Sequence, residues 1–227
     1  MSYQSDDEQV ELLKSLWKDY GQPVVLALAI TLAGVSGYKY WNKVQYDQAA
    51  EASALYQNLL DTLGQQAPQQ TALTKEQKAT VSHVVKTLQD DFTDSRYAQF
   101  ATLFQAQQQV LDDQLTEARA SLEWVLARKP GDRIETMVSV RLARVLLGES
   151  DDNARKALDV LAVLKADEAY GATIESARGD AYLALGQKTE AEAAYQKALD
   201  TTRGNGENRP LLQLKLDDLA AMAPQEG

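Results

Sequence analysis

Four pairs of adjacent acids, Asp90-Asp91, Asp112-Asp113, Asp151-Asp152 and Asp217-Asp218, are the residues of this chain whose type could hold a cation or exchange protons. A calcium loop supplies oxygen ligands at alternate positions through about twelve residues, with glycine at its sharp turn. None of the four pairs sits in such a frame. Each falls at the end of a predicted helix or in a turn, so they read as solvated turn residues. The single histidine, His83, cannot build a multi-histidine metal site and leaves a histidine-based triad without support. It lies between Val81 and Val84 and reads as partly packed on a helix face. Cysteine is absent, so thiolate metal sites and disulfides are excluded. The stretch Arg203-Gly204-Asn205-Gly206 contains a Gly-Xaa-Gly, but it follows a helix, whereas a phosphate-cradling loop follows a strand. A helix end and turn accounts for it. No nucleophile elbow and no zinc spacing occur. The expectation is a protein that is not an enzyme, with no catalytic residue, metal or cofactor.

With chemistry set aside, charge and hydropathy carry the reading. The formal net charge of −10 opposes a nucleic-acid partner, whose phosphates need clustered Lys and Arg. The run from Tyr20 to Tyr38 has no charged residue and no counterpart elsewhere in the chain. Its apolar residues Val24, Val25, Leu26, Leu28, Ile30, Leu32 and Val35 are each worth about −0.3 to −0.6 kcal/mol on insertion into a bilayer. Pro23, Thr31, Gly34, Ser36 and Gly37 dilute it, and about 20 apolar residues are needed to cross the hydrocarbon core. Trp17 and Tyr20 on one side, and Tyr38, Tyr40 and Trp41 with Lys39 and Lys43 on the other, make interfacial collars. The reading is a transmembrane helix over 21–41, in contact with membrane lipid. A cleaved signal peptide is the competitor, with Gly34 and Ser36 as small residues for cleavage. Its basic leader is missing, because residues 1–20 hold five acids and two lysines. Lys14 and Lys18 before the span match Lys39 and Lys43 after it, so charge leaves the orientation open. Within the span, Ala29, Ala33 and Gly37 recur every fourth residue, a ladder that would admit a close helix neighbour.

Beyond the span the chain is rich in Ala, Leu, Gln, Glu and Asp, which favours helix throughout. An apolar stripe through Ala49, Ala52, Ser53, Tyr56, Leu59, Leu60 and Leu63 predicts helix as far as Gly64, before a Gln- and Pro-containing loop at 64–73. Thr74 with Gln77 forms a capping-box signature and opens a helix with the face Val81, Val84, Val85, Leu88 and Phe92. From about residue 95 the chain falls into helix pairs. Gly179, Tyr182, Gly186, Ala191, Tyr195 and Ala198 reproduce the spacing of a tetratricopeptide repeat. Small Gly179 and Ala191 let two antiparallel helices approach, Tyr182 and Tyr195 fill the space beside them, and Gly186 supports the turn. The repeat's usual early Trp and Leu are replaced by Glu175 and Arg178. Ala118, Leu122, Val125 and Pro130 match a second half-repeat, as do Ala154, Leu158 and Leu161; Ala118, Ala154 and Ala191 are 36 and 37 residues apart. Val138, Leu142 and Val145 supply the first helix of the middle unit, and Leu211, Leu212, Leu216, Leu219 and Ala220 a capping helix. The fold class expected is all-α, an N-terminal transmembrane helix followed by a tetratricopeptide-like helical-repeat solenoid. Its parts are an N-terminal segment at 1–20, the transmembrane helix at 21–41, a juxtamembrane helix and loop at 42–74, and the repeat domain at 75–227.

Several segments in order, Asp7-Glu8-Gln9-Val10-Glu11, Gly37-Tyr38-Lys39-Tyr40-Trp41-Asn42, Ala54-Leu55-Tyr56-Gln57-Asn58, Val140-Arg141-Leu142-Ala143-Arg144-Val145 and Arg178-Gly179-Asp180-Ala181, carry a resemblance over nearly the whole chain. It resembles the YfgM-like family of ancillary SecYEG translocon subunits of proteobacteria, with a loop at 64–73 and a stretch from Arg203 that are longer and more polar than the family's. The resemblance implies a single-pass inner-membrane protein with a cytoplasmic N-terminus and a periplasmic repeat domain. It implies association with the Sec translocon (SecYEG) and with a PpiD-like membrane-anchored chaperone, and a role in passing exported polypeptides to periplasmic chaperones. A scaffold or assembly factor for another cell-envelope complex is the alternative, since anchored repeat domains serve that purpose too.

Overall fold

A computed structural model of the chain describes residues 3–64, 73–165, 169–202 and 209–221. The described residues form nine α-helices and no strand: α1 Tyr3–Gly64, α2 Lys75–Asp91, α3 Arg96–Leu111, α4 Leu115–Leu126, α5 Asp132–Glu149, α6 Ala154–Ala162, α7 Gly171–Ala184, α8 Lys188–Thr201 and α9 Arg209–Ala221, with a single 3-10 turn at Asp151–Asn153. The loop at 64–73, apart from its end residues, and Arg203-Gly204-Asn205-Gly206 lie outside the described residues. The chain divides into two units, Met1–Glu51 and Ala52–Gly227.

The first unit is the longer part of α1, and the side chains described in it are almost all exposed. Val25, Leu26, Leu28, Ile30, Leu32 and Val35 are each about half to two-thirds exposed, as are Tyr38, Tyr40 and Trp41. Pro23 sits inside the helix, and Thr31 donates its hydroxyl back to the Ala27 carbonyl at 2.8 Å, so it needs no outside partner. Among the described residues no helix is long and apolar enough to cross a membrane, which departs from the span expected at 21–41. Pro23, Thr31, Gly34, Ser36 and Gly37 dilute the apolar residues of the charge-free run, and about 20 predominantly apolar residues are needed to cross a bilayer core. The side chains of Tyr20 and Val24 lie outside the described residues.

The second unit is a row of antiparallel helix pairs. Its core begins on the last turns of α1, where Ala52 and Leu59 are fully buried with Val81, Val84, Val85 and Leu88 of α2 and Ala98 and Ala101 of α3. Thr74 caps α2 in both directions: its hydroxyl accepts from the Gln77 amide, and the Gln77 side chain accepts from the Thr74 amide. Such a cap is worth roughly 1 kcal/mol. A second core runs through α3 to α7 on Ala106, Ala118, Leu122, Val125, Val138, Leu142, Ala157, Leu161, Ile174 and Ala177. A third joins α8 to α9 through Ala191, Tyr195, Ala198, Leu212 and Leu219. The expected helix through Leu211–Ala220 is α9, on which Leu212 and Leu219 are buried and Leu216 partly so, whereas Leu211 and Ala220 are exposed.

The turns show how the pairs correspond. Between α7 and α8, Gly186 has φ +72°, and the amide of Gln187 reaches back to the Tyr182 carbonyl at 2.9 Å. Between α3 and α4, Asp113 takes φ +60° and the amide of Gln114 reaches the Gln109 carbonyl at 2.8 Å. Both are left-handed helix ends closed by the same six-residue bond. Asp is one of the few side chains that tolerate this conformation. Asp113 precedes Gly186 by the same interval that separates Ala118 from Ala191, and both alanines are fully buried.

Candidate polypeptide-binding groove

Helices α3 and α5 stand side by side in successive pairs and leave an open cavity of about 330 Å³ between them. Leu103, Ala106, Leu122 and Val145, all nearly buried, form its floor. Along one wall Val110 and Leu111 are 42 % and 63 % exposed, with Gln107 beside them. The opposite wall carries Arg141 and Arg144, both exposed. Among the described residues neither guanidinium has a hydrogen-bond or ion-pair partner. Three residues apart on a helix, the two share a face. Their charges therefore add beside an apolar trough whose lining contains no acid.

A second cavity, about 290 Å³, continues from Arg144. Ala172, Thr173, Ser176 and Asp180 of α7 and Leu211, Leu212 and Lys215 of α9 line it. Here the charges are paired. Asp180 accepts from the Tyr195 hydroxyl at 2.7 Å and from the Lys215 ammonium. Lys215 also stands 5.3 Å from the centre of the Tyr195 ring. Burial, followed by the bond to Asp180 and the charge of that carboxylate, holds the Tyr195 phenol well above its ordinary pKa. Beneath it, a Cβ added to Gly179 would lie 2.3 Å from the Tyr195 ring. Gly179, Ala191, Tyr195 and Ala198 are all buried at this contact, and Tyr182 is half-buried at its edge.

The tetratricopeptide repeat-like domain family matches residues 14–221. The chain belongs to this family. It is also similar to three curated proteins, each bearing the name ancillary SecYEG translocon subunit. The protein of Escherichia coli (strain K12) is 27% identical over 221 residues, covering 96% of this chain and 98% of the relative. That of Haemophilus influenzae is 27% identical, covering 96% and 100%. That of Neisseria gonorrhoeae is 29% identical, covering 94% and 97%.

Against the tetratricopeptide repeat-like pattern, the third pair has replaced its early apolar residues with an ion cluster. The Glu175 side chain is 4 % exposed and accepts from Arg178 and from Lys197, both at 2.8 Å. Arg178 also donates to the Leu161 carbonyl of α6 at 2.8 Å. A buried carboxylate without such partners would cost several kcal/mol, so the cluster exists as a set or not at all. It ties the second pair to the third where the repeat ordinarily uses an aromatic ring.

Other residues singled out by type do no chemistry together. His83 is exposed rather than partly packed, since it projects from the side of α2 away from Val81, Val84 and Val85. Asp90 pairs with Lys86 at 2.7 Å, Asp112 with Lys78 at 2.6 Å, and Asp151 and Asp152 begin the 3-10 turn capped by Ser150. Asp217 accepts from Gln213 on exposed helix surface. No group of His, Asp or Glu among the described residues could hold a metal ion. Ala29, Ala33 and Gly37 are exposed on α1, and a Cβ on Gly37 would meet nothing within 4 Å. Arg141 and Arg144 were open to discovery from sequence: neither has an acid three or four positions away on its helix, the usual way such a residue is neutralised.

Proposed function

We propose that this chain is a non-catalytic adaptor of the Sec translocon that binds exported polypeptides and passes them to periplasmic chaperones. The observation that carries the reading is the likeness to proteins named ancillary SecYEG translocon subunit, which covers 96% of this chain. The repeat fold supports it, because stacked helix pairs expose extended surfaces suited to polypeptide, and the groove between α3 and α5 is such a surface. Membrane anchoring through residues 21–41 belongs to the proposal. It is supported by an uninterrupted helix, exposed apolar side chains around its circumference, and flanking Trp17, Tyr38, Tyr40 and Trp41. In this reading residues 1–20 are cytoplasmic, residues 42–74 lead away from the inner membrane, and residues 75–227 are periplasmic. A PpiD-like membrane-anchored chaperone is the partner for handover, and Ala29, Ala33 and Gly37 face a translocon helix.

The test is a mild-detergent pull-down of the full chain from bacterial membranes, beside a chain whose residues 21–41 are exchanged for an unrelated transmembrane helix. SecYEG subunits should accompany the native chain and fall several-fold with the exchanged one. Absence of SecYEG from the native pull-down overturns the adaptor reading. Full recovery with the exchanged helix moves the translocon contact to the repeat unit.

A further inference from the structure

The groove between α3 and α5 has a charge that the rest of the chain does not explain. Acids outnumber bases 33 to 23, and several cations of the repeat unit are paired: Arg119 on Glu149, Arg178 and Lys197 on Glu175, Lys215 on Asp180, Lys78 on Asp112. In an acid-rich chain, Arg141 and Arg144 stand together with no carboxylate partner among the described residues. Like charges three apart on a helix repel, and an incoming anion would relieve that repulsion. We propose that this groove binds a polypeptide segment of another protein that carries an apolar side chain next to acidic side chains. Leu103, Ala106 and Val145 receive the apolar group, and Arg141 and Arg144 pair the carboxylates. The inference rests on reading the chain as a polypeptide-binding adaptor and adds the chemistry it selects.

Three features favour a short peptide over other occupants. Guanidinium and carboxylate pair through two parallel hydrogen bonds, and such charge-assisted bonds strengthen beside an apolar wall that excludes water. Gln107, exposed on the facing wall, offers a donor and an acceptor that match a backbone amide and that a lipid headgroup does not need. The apolar part of the trough is only Leu103, Ala106, Val110, Leu111, Leu122 and Val145, whereas a stable complex with a second copy of this chain would engage about 20–30 residues per partner.

The test uses the full chain in mild detergent and a fluorescein-labelled Ser-Leu-Glu-Leu-Glu-Ser peptide, with both ends blocked so that only side chains are charged. Its counterpart carries Gln in place of Glu. By fluorescence anisotropy the acidic peptide should bind at least tenfold more tightly than its counterpart and weaken as salt rises. The double variant Arg141→Gln with Arg144→Gln should lose that preference while keeping its thermal midpoint, because neither arginine holds another element in place. Leu111→Glu, which puts a negative charge on the facing wall, should weaken the acidic peptide further. Equal binding of both peptides, or an acid preference that survives the double arginine change, overturns the proposal. Displacement of bound peptide by anionic phospholipid vesicles assigns the groove to lipid and overturns it too, as does a concentration-dependent dimer abolished by Leu111→Glu. SecYEG pull-down with the double variant separates the two readings. Loss of peptide preference with SecYEG retained places the failure or success in the groove alone, whereas loss of SecYEG from the native chain fails the adaptor reading and leaves the peptide measurement standing.

Discussion

At Gly179 a single missing methyl group sets the spacing of two helices. Any side chain there would put its Cβ 2.3 to 2.4 Å from ring atoms of Tyr195, closer than atoms can approach. Gly179→Leu must therefore either displace the ring or part α7 from α8. Overpacking of this kind costs about 1–3 kcal/mol, which for a domain of this size lowers the melting temperature by several degrees. Thermal unfolding followed by circular dichroism checks it, and an unaltered midpoint would show that the contact is not what holds the pair. Tyr195 itself makes a second expectation. Its phenol keeps its proton in the folded chain at pH values where the unfolded chain, titrating near 10.0, has lost it. The folded state thus binds more protons above that pH, and stability falls as pH rises further. Below it the contribution is constant. Tyr195→Phe should lower stability at neutral pH by about 1 kcal/mol through the lost bond to Asp180. It should also flatten the loss of stability above pH 10.0. Denaturant titrations at several alkaline pH values give both quantities, and parallel slopes for the two proteins would refute the coupling.

At the scale of elements, the last turns of α1 are part of the repeat unit rather than a lead into it. Ala52 and Leu59 are fully buried against α2. A chain beginning at Ala52 should melt cooperatively with helical circular dichroism. One beginning at Leu73 uncovers Val81, Val84, Val85 and Leu88, and should melt lower and aggregate on heating. Equal melting of the two would show that α1 adds nothing to that core. Most of this was legible in the sequence because helical faces repeat every three to four residues and a cap has a chemical signature, as Thr74 and Gln77 do. The failures share one cause. His83 sits two residues after Val81, which on a helix is nearly the opposite side, so sequence neighbours misled. On α9, Leu211 and Leu212 are adjacent, and only packing against α8 decides that Leu212 turns inward while Leu211 stays exposed.

For the whole molecule, the groove was the least legible feature, because a cavity belongs to two helices brought together by a third element and to neither alone. Leu103, Ala106 and Val110 on α3 look like an ordinary core face, and only the exposure of Val110 and Leu111 shows where the core ends. What the sequence did offer was the pair of arginines without acids. The groove also has an end. Past Arg144 the next cavity is lined by α7 and by Leu211, Leu212 and Lys215 of α9, where Asp180 and Lys215 already pair with each other. On the proposed reading, the unpaired positive charge of the trough is confined to Arg141 and Arg144 and can hold only a few residues of a bound segment at a time. A grip that short would release quickly, so the proposal implies brief visits rather than prolonged sequestration.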